Sequence, residues 1–215
     1  MRLSELSEHS GVSTATIKFY LREGLLPPGR RISATQAEYG EHHLRRLRLV
    51  RALIQIGKVP VATAREVLSH VDDDSLGRTI RLGAALWALP QGNPPAEDLE
   101  DPEVAAATAE LEELLTRLGW SNAQQIGALS PVYRSLAAGL ATLRRLGFPG
   151  DLETLLPYAR AMHELAERDL DALEALDSEA EQVETAVGSA VLFEPLLLSL
   201  RRLAQEEESA RRYGY

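Results

Sequence analysis

The chain has 215 residues, with 23 Lys+Arg, 32 Asp+Glu and no cysteine, and its formal net charge is −9. The lack of cysteine excludes disulfides, thiolate metal sites and thiol redox sensing. No apolar leader opens the chain, and charges interrupt its apolar runs, so we expect a cytoplasmic protein with no membrane partner.

Charge is divided unevenly along the chain. Residues 1–70 carry 11 Lys+Arg against 6 Asp+Glu, a net charge of +5, and residues 71–215 carry 12 against 26, a net charge of −14. A basic first third on an acidic remainder predicts that a polyanion binds the first part only.

Apolar residues recur at three- and four-residue spacing along nearly the whole chain, which predicts an all-α fold with a small β-wing. Ser4 and Ser13 are positioned to cap two short helices, with Gly11 in the turn between them. The polar residues 30–39 are expected to form a short hairpin. Two further helices follow, over about 41–56 and 61–71.

Breaks in the helical pattern predict that the chain has three parts. An acidic run at residues 72–74 ends a first domain, residues 1–74, and residues 75–95 form a connecting helix and a proline-rich linker. Residues 96–215 form an all-helical C-terminal domain. Its last helix should run from residue 179 to about Arg212, with a kink at Pro195.

The second helix has the chemistry of a groove-binding helix. Ile17 and Leu21 are spaced to pack on the first helix, which leaves Thr14, Lys18 and Arg22 on the opposite side. Hydroxyl groups suit base edges and phosphates, and cations suit the DNA backbone. The alternative is an ordinary amphipathic pair with solvated charges.

A set of residues with family-specific order and spacing covers about the first third of the chain. The set comprises Leu6, GVS at 11–13, TIKFYLREGLLP at 16–27, Tyr39, LRRLRLVRAL at 44–53 and Gly57. In these residues the chain resembles the winged helix-turn-helix domain of MerR-family transcriptional regulators. The resemblance implies a homodimer that binds a palindromic promoter operator, acts with RNA polymerase and controls transcription by distorting the DNA.

Residues that the helix pattern and the resemblance place at the DNA are Ser13, Thr14, Thr16, Lys18, Tyr20, Arg22, Arg30, Arg31, Tyr39, Arg45 and Arg46. Two departures from the family pattern bear on these contacts. The usual aromatic pair reads Phe19-Tyr20, so one hydroxyl is missing. The wing lacks its usual arginine, so Arg30, Arg31 or Gln36 would have to replace that contact.

The C-terminal domain is much larger than a dimer contact requires, and sensing of a small apolar or cationic effector is the use expected from the resemblance. Large side chains that could line a pocket are Trp120, Tyr133, Phe148, Tyr158, Met162, His163 and Phe193. Dimerisation is expected to involve the last helix, although Val183, Val187, Val191 and Leu198 fit an ordinary core equally well.

Other functions are less favoured by the residues. No spacing of histidines and carboxylates predicts a metal site, no cofactor is expected, and no phosphate loop or nucleophile–base pair suggests an enzyme, even one with a DNA-binding appendage. The main alternative is a DNA-binding adaptor whose helical domain binds a protein partner. An enclosed apolar cavity would favour the sensor, and an exposed apolar groove would favour the adaptor.

Overall fold

In the computed structural model, the described residues are 1–33, 36–91 and 101–214. These residues are mostly helical and include a small two-stranded hairpin, so the fold class is confirmed. The first helices are α1 (Leu3–Ser10), α2 (Thr14–Arg22), α3 (Glu41–Arg51), α4 (Val61–Val71) and α5 (Arg78–Ala88). The later helices are α6 (Pro102–Leu118), α7 (Ser121–Ile126), α8 (Pro131–Arg145), α9 (Leu152–Glu174) and α10 (Glu179–Tyr213).

The first two helices form the predicted helix-turn-helix, although α1 begins at Leu3 after Arg2, so the prediction that Ser4 caps it is wrong. Gly11 ends α1 with a φ of 65°, a left-handed conformation that glycine adopts without strain. Ser13 then caps α2, because its Oγ accepts a hydrogen bond from the Thr16 N–H at 3.1 Å. Leu6 and Ile17 are fully buried, so the turn holds the two helices against a common core.

The hairpin consists of β1 (Arg30–Arg31) and β2 (Ala37–Glu38), which pair antiparallel with Arg30 opposite Glu38. It forms the small wing that the sequence predicts. Residues 34 and 35, within the stretch predicted to form the hairpin, lie outside the described residues.

The helix predicted over residues 41–56 has two parts. Its α-helical part is α3, and a π-helical turn (Ala52–Ile56) continues it to Gly57. Gly57 is needed for a steric reason, because a Cβ there would collide with Val191 Cγ1 of α10 and lie 3.1 Å from the Leu53 carbonyl oxygen. The end of α3 is therefore in close contact with the last helix.

Packing divides the chain into two units, one containing Met1–Leu89 and Leu176–Tyr215, the other Pro90–Ala175. The helix α10 thus packs with the N-terminal residues, whereas the sequence analysis grouped it with residues 96–215. Val183, Val187 and Val191 lie in one hydrophobic core with α1 to α5. These three valines are therefore core residues, as the alternative to a dimer contact predicted. Leu198, the fourth residue of that set, is 54% exposed.

The second unit is built around α6, which packs against both α8 and α9. Leu111, Leu114 and Leu115 of α6, together with Leu140 and Leu156, form its apolar core. Part of the linker predicted before this unit, residues 92–95, lies outside the described residues.

Among the described residues, α10 is the one helix long and apolar enough by length and composition to cross a membrane, with a mean hydropathy of 1.5 over 18 residues. The expectation that charges interrupt every apolar run was therefore too strong. Only 17% of that window is buried, because the first half of α10 contributes Val183 and Val187 to the core beside α3 and α5 while the apolar residues of its second half are exposed.

Candidate DNA-binding surface

The outer face of α2 carries the residues expected of a recognition helix. Thr14 and Lys18 are exposed, as is Ser13 at the cap, and Thr16 is half-buried. Arg22 ends the helix with 70% of its side chain exposed. Thr14, Lys18 and Arg22 lie at four-residue spacing on one side of α2, because its buried residues Ile17 and Tyr20 face the core.

The two cations of this face differ in their surroundings. The Arg22 guanidinium lies 5.4 Å from the centre of the Phe19 ring, and its Nε is 3.5 Å from Glu23 Oε1. Lys18 makes no hydrogen bond or ion pair with any described residue, so its ammonium group is available to a phosphate.

The C-terminal end of α2 is fixed by α4. Arg65 Nε donates to the Glu23 carbonyl oxygen at 2.8 Å, and Arg65 Nη2 lies 3.1 Å from the Glu23 carboxylate. This contact was absent from the sequence analysis, because a pairing over 42 residues leaves no local spacing signal. Arg65 is therefore a positioning residue for the recognition helix.

In the wing, Arg30 and Arg31 are exposed, but they are not equivalent. Arg30 makes an ion pair and a hydrogen bond with Glu38 across the hairpin, and this contact lowers the pKa of the Glu38 carboxyl group. Arg31 faces Ala37 in the register of the hairpin. Arg31 therefore presents the less neutralised charge.

The base of the wing is held by the start of the chain and by α3. The N–H of Tyr39 donates to the Met1 carbonyl oxygen at 2.8 Å, and the Met1 ammonium group donates back to the Tyr39 carbonyl oxygen at 2.8 Å. The Tyr39 ring meets the His43 ring edge-on at 5.0 Å. Gly29 fits beside them because a Cβ there would lie 2.9 Å from the Tyr39 ring.

His43 caps α3 while it is nearly completely buried. Its Nδ1 accepts a hydrogen bond from the Gly40 N–H at 2.9 Å, which requires the unprotonated nitrogen. Burial, and secondarily the neighbouring His42, lower the pKa of His43. Folding therefore favours the neutral ring at the junction of wing and α3.

This burial predicts a pH dependence of stability. Below the unfolded-state pKa of about 6.5, the unfolded chain binds a proton at His43 that the folded chain does not, so stability falls until the lower folded pKa is reached. Chemical denaturation at about pH 7.5 and about pH 5 should show a larger loss of unfolding free energy for the natural protein than for His43→Gln, whose amide does not titrate. Equal losses in the two proteins would contradict the assignment.

Four of the residues that the sequence analysis placed at the DNA lie in other surroundings. Tyr20 is 2% exposed and Tyr39 is 7% exposed, so both rings belong to the core. Arg46 is buried and ion-paired with Asp72. Its Nε lies 3.4 Å from a carboxylate oxygen of Glu184, and Arg45 Nε lies 3.5 Å from the other oxygen. Because the side chains of Tyr20, Tyr39 and Arg46 are buried, their exposure does not support a DNA contact. Arg45 is paired with Glu184 of α10.

The residues predicted for an effector pocket are divided between the two units. Phe193 lies on α10 in the first unit, and the others belong to the second. Tyr133 is in the core, with its hydroxyl donating to Glu112 at 2.5 Å. Trp120 and His163 have ring centres 5.9 Å apart. The remaining three are exposed: Phe148, Tyr158 and Met162.

The described residues contain no group of three or more His, Cys, Asp or Glu that could hold a metal ion. An open depression of about 620 Å³ lies along the end of α10, and its lining includes Arg202, Glu206 and Ala210 but none of the predicted effector residues.

Comparison with known proteins agrees with this geometry. The family described as MerR HTH family regulatory protein matches residues 1–71. The chain is 36% identical over 50 residues to the HTH-type transcriptional regulator ZntR homolog of Haemophilus influenzae, a match that covers 23% of this chain and 37% of that protein. It is also similar to the crystal structure of SCO5550 from Streptomyces coelicolor A3(2), a protein assigned as a transcriptional regulator. The two sequences are 65% identical, and the TM-score is 0.85. The match covers 100% of this chain and 99% of that one.

The helix-turn-helix, the wing and the basic outer face of α2 define a winged helix-turn-helix DNA-binding protein. The chain belongs to the MerR family of transcriptional regulators. This is a family of regulators rather than enzymes.

Proposed function

We propose that the protein is a cytoplasmic, one-component regulator that binds a palindromic promoter operator as a homodimer and responds to a small-molecule effector. The observation that carries DNA binding is the exposed face of α2, where Thr14, Lys18 and Arg22 stand outward on a helix fixed by Arg65. This helix would enter the major groove, and the wing cations would bind the flanking backbone.

The bound protein would control transcription by changing the shape of the promoter DNA to which RNA polymerase binds. Bending or untwisting a promoter costs roughly 1–6 kcal/mol, which the phosphate contacts of two DNA-binding domains would offset. An effector would then change the distortion through a coupling free energy of about 1–3 kcal/mol.

The second half of α10 supplies the surface for the homodimer. Phe193, Leu196, Leu200 and Leu203 repeat at alternating three- and four-residue spacing, and each is more than half exposed. Leu192 and Leu197 widen the same stripe. We call these six residues the α10 stripe.

The α10 stripe points away from the core that the first half of the helix joins. At 3.6 residues per turn, it lies on roughly the opposite side of α10 from Val183, Val187 and Val191. The contacts that bury those valines therefore leave the stripe uncovered, and six large apolar side chains need another occupant.

A second copy of the chain fits this stripe. Two α10 helices can run antiparallel with their two-fold axis at the level of Leu198. Phe193 then faces the partner's Leu203 and Leu196 faces the partner's Leu200, so the repeat is self-complementary. Glu207 occupies the next position of the repeat and ends the apolar seam. The sequence expectation of dimerisation through the last helix is thereby refined to its second half.

The alternative function, a DNA-binding adaptor for a protein partner, is favoured by one observation. Tyr158, Met162 and Leu165 stand at helical spacing on α9, and all three are exposed. For the sensor, we propose that an effector binds beside the Trp120–His163 ring pair instead. Isothermal titration with candidate small molecules separates the two functions.

Two substitutions on α2 test the DNA-binding face. Lys18→Ala should weaken binding to all duplexes and lower the slope of log affinity against log salt by about 0.9, because one phosphate contact is lost. Thr14→Ala should keep the slope and relax preference at one base position by about 1 kcal/mol. Fluorescence anisotropy over a salt series, with a panel of single-base operator changes, measures both.

Arg168→Ala is the matched control, since it removes one exposed positive charge from α9 in the other unit. It should leave slope and preference unchanged. A Lys18→Ala slope equal to that of the natural protein would remove Lys18 from the interface, and a uniform loss in Thr14→Ala would limit Thr14 to backbone contact.

A further inference from the structure

The helix α2 ends in a turn whose backbone is fixed by hydrogen bonds. Gly24 has a φ of 73°, and its N–H donates to the Leu21 carbonyl oxygen at 3.3 Å. The Leu25 N–H donates to the Tyr20 carbonyl oxygen at 2.9 Å. These two bonds close the end of the helix in a Schellman motif. Glu23, which stands at the end of α2, therefore extends its side chain from a fixed point.

The side chain of Glu23 adds negative charge where the helix is already negative. The last carbonyl groups of a helix carry partial negative charge, so a carboxylate beside them is unfavourable without a cation. Arg65 of α4 offsets both, because its Nε donates to the Glu23 carbonyl oxygen at 2.8 Å and its Nη2 lies 3.1 Å from Oε2 of the same residue. One guanidinium thus binds the helix end and one oxygen of the carboxylate.

The other oxygen of this carboxylate meets a cation of the proposed DNA-binding face. Glu23 Oε1 lies 3.5 Å from Arg22 Nε, and the Arg22 guanidinium also lies 5.4 Å from the centre of the Phe19 ring. Because the Arg22 side chain is 70% exposed, most of its guanidinium is open to a phosphate. Glu23 is therefore shared between an inner arginine, Arg65, and an outer arginine, Arg22.

Two anionic groups compete for Arg22 when DNA binds. A phosphate bound to Arg22 would lie within about 8 Å of the Glu23 carboxylate, which is less than the Debye length of about 10 Å at 0.1 M salt. Salt therefore screens their repulsion only in part. The carboxylate opposes the phosphate to an extent that depends on how strongly Arg65 neutralises it.

We propose that Glu23 and Arg65 together set the strength with which Arg22 binds the DNA backbone. In the free protein the carboxylate pairs with both arginines, and on DNA a phosphate displaces it from Arg22 while Arg65 retains it. Glu23 thus limits the affinity for every duplex, and Arg65 keeps that limit small. The inference rests on the proposed DNA-binding face of α2.

The test is a double-mutant cycle in the full-length protein, measured by fluorescence anisotropy with its own upstream DNA and with a scrambled duplex. Glu23→Gln should raise the affinity for both duplexes by about threefold, because Arg22 loses its competing anion. Arg65→Met should lower both affinities by about fivefold, because the carboxylate then faces the phosphate without its cation. The double variant should bind within about twofold of the natural protein, since no carboxylate remains for Arg65 to neutralise.

Salt and a matched charge change separate this electrostatic effect from a structural one. The gain in Glu23→Gln should shrink between about 0.05 and about 0.3 M salt, because salt screens the repulsion that the substitution removes. Glu66→Gln is the control: it also removes one exposed negative charge, next to Arg65 on α4, but Glu66 is not ion-paired with Arg22. This variant should bind both duplexes within about twofold of the natural protein.

The outcomes separate this inference from the proposed function. Unchanged or weaker binding in Glu23→Gln, or a double variant that binds no better than Arg65→Met, would mean that Arg65 only holds the end of α2 and would overturn the inference. Equal gains in Glu23→Gln and Glu66→Gln would also overturn it, because net charge alone would explain them. Glu23→Gln keeps the Arg65 bond to the backbone, so its result stands even where Arg65→Met disturbs the helix end. Equal, weak binding of the natural protein to both duplexes would instead contradict the proposed function.

Discussion

Leu200→Asp is expected to convert the proposed dimer into a monomer. Leu200 is 61% exposed and stands at the centre of the α10 stripe, where the antiparallel seam would bury it against the partner's Leu196. Two carboxylates per dimer would lose water without a paired cation, which costs about 4 kcal/mol or more and weakens association by roughly a thousandfold. Sedimentation equilibrium measures the change, and specific operator binding should fall with it.

Leu198→Asp provides the matched control. Leu198 is also more than half exposed, two residues away on the same helix, but it lies off the α10 stripe. This variant should remain dimeric with operator affinity close to that of the natural protein. A dimer in Leu200→Asp, or equal dissociation in both variants, would show that the dimer contact lies elsewhere.

Gly57→Ala is expected to destabilise the protein by about 1–3 kcal/mol, a large effect for one methyl group. The backbone of Gly57, with φ −73° and ψ −10°, is open to alanine, so conformation does not oppose the change. The added methyl group would collide with Val191 and press on the Leu53 and Ala52 carbonyl oxygens at 3.1 and 3.2 Å. Urea unfolding measures the loss.

Gly83→Ala should have the opposite sign. Gly83 is inside α5, and nothing lies within 4 Å of a Cβ built there, so the substitution should add about 0.5–1 kcal/mol of stability through helix propensity. No loss of stability in Gly57→Ala would contradict the close approach of α10 to the end of α3, and a loss in Gly83→Ala would contradict the open surroundings of Gly83.

The DNA-binding domain was predictable because its signals are local. Ser13 caps α2 three residues before Thr16, and Gly11 takes the left-handed turn, so both act within one helical turn of their position. The outward face of α2 follows from the spacing of Ile17 against Thr14 and Lys18. These features depend on neighbours in the sequence, and the structure confirms the helix-turn-helix and the wing.

The role of α10 was not predictable in the same way. Nothing near Arg46 in the sequence shows that Glu184 is its partner, because 138 residues separate them (184 minus 46). An arginine-rich helix near a recognition helix suggested DNA contacts, but burial with two carboxylates assigns Arg46 to the core. The spacing of the α10 valines fits a dimer seam and a core equally well, and only the packing in the structure shows that they belong to the core.

The effector residues remain a prediction for a related physical reason. Large side chains such as Trp120 and Tyr133 serve cores and pockets alike, so composition does not separate the two uses. The structure places Tyr133 in the core and leaves Tyr158 and Met162 exposed, and neither position shows whether an effector binds.

The central claim is sequence-specific operator binding by a dimer. Fluorescence anisotropy of the full-length protein with its own upstream DNA and with a scrambled duplex, over a salt series, tests that claim most directly. We expect tight binding to the upstream DNA at a stoichiometry of two chains per duplex, with steep salt dependence and at least about a thousandfold preference over the scrambled duplex. Equal, weak binding to both duplexes would contradict it.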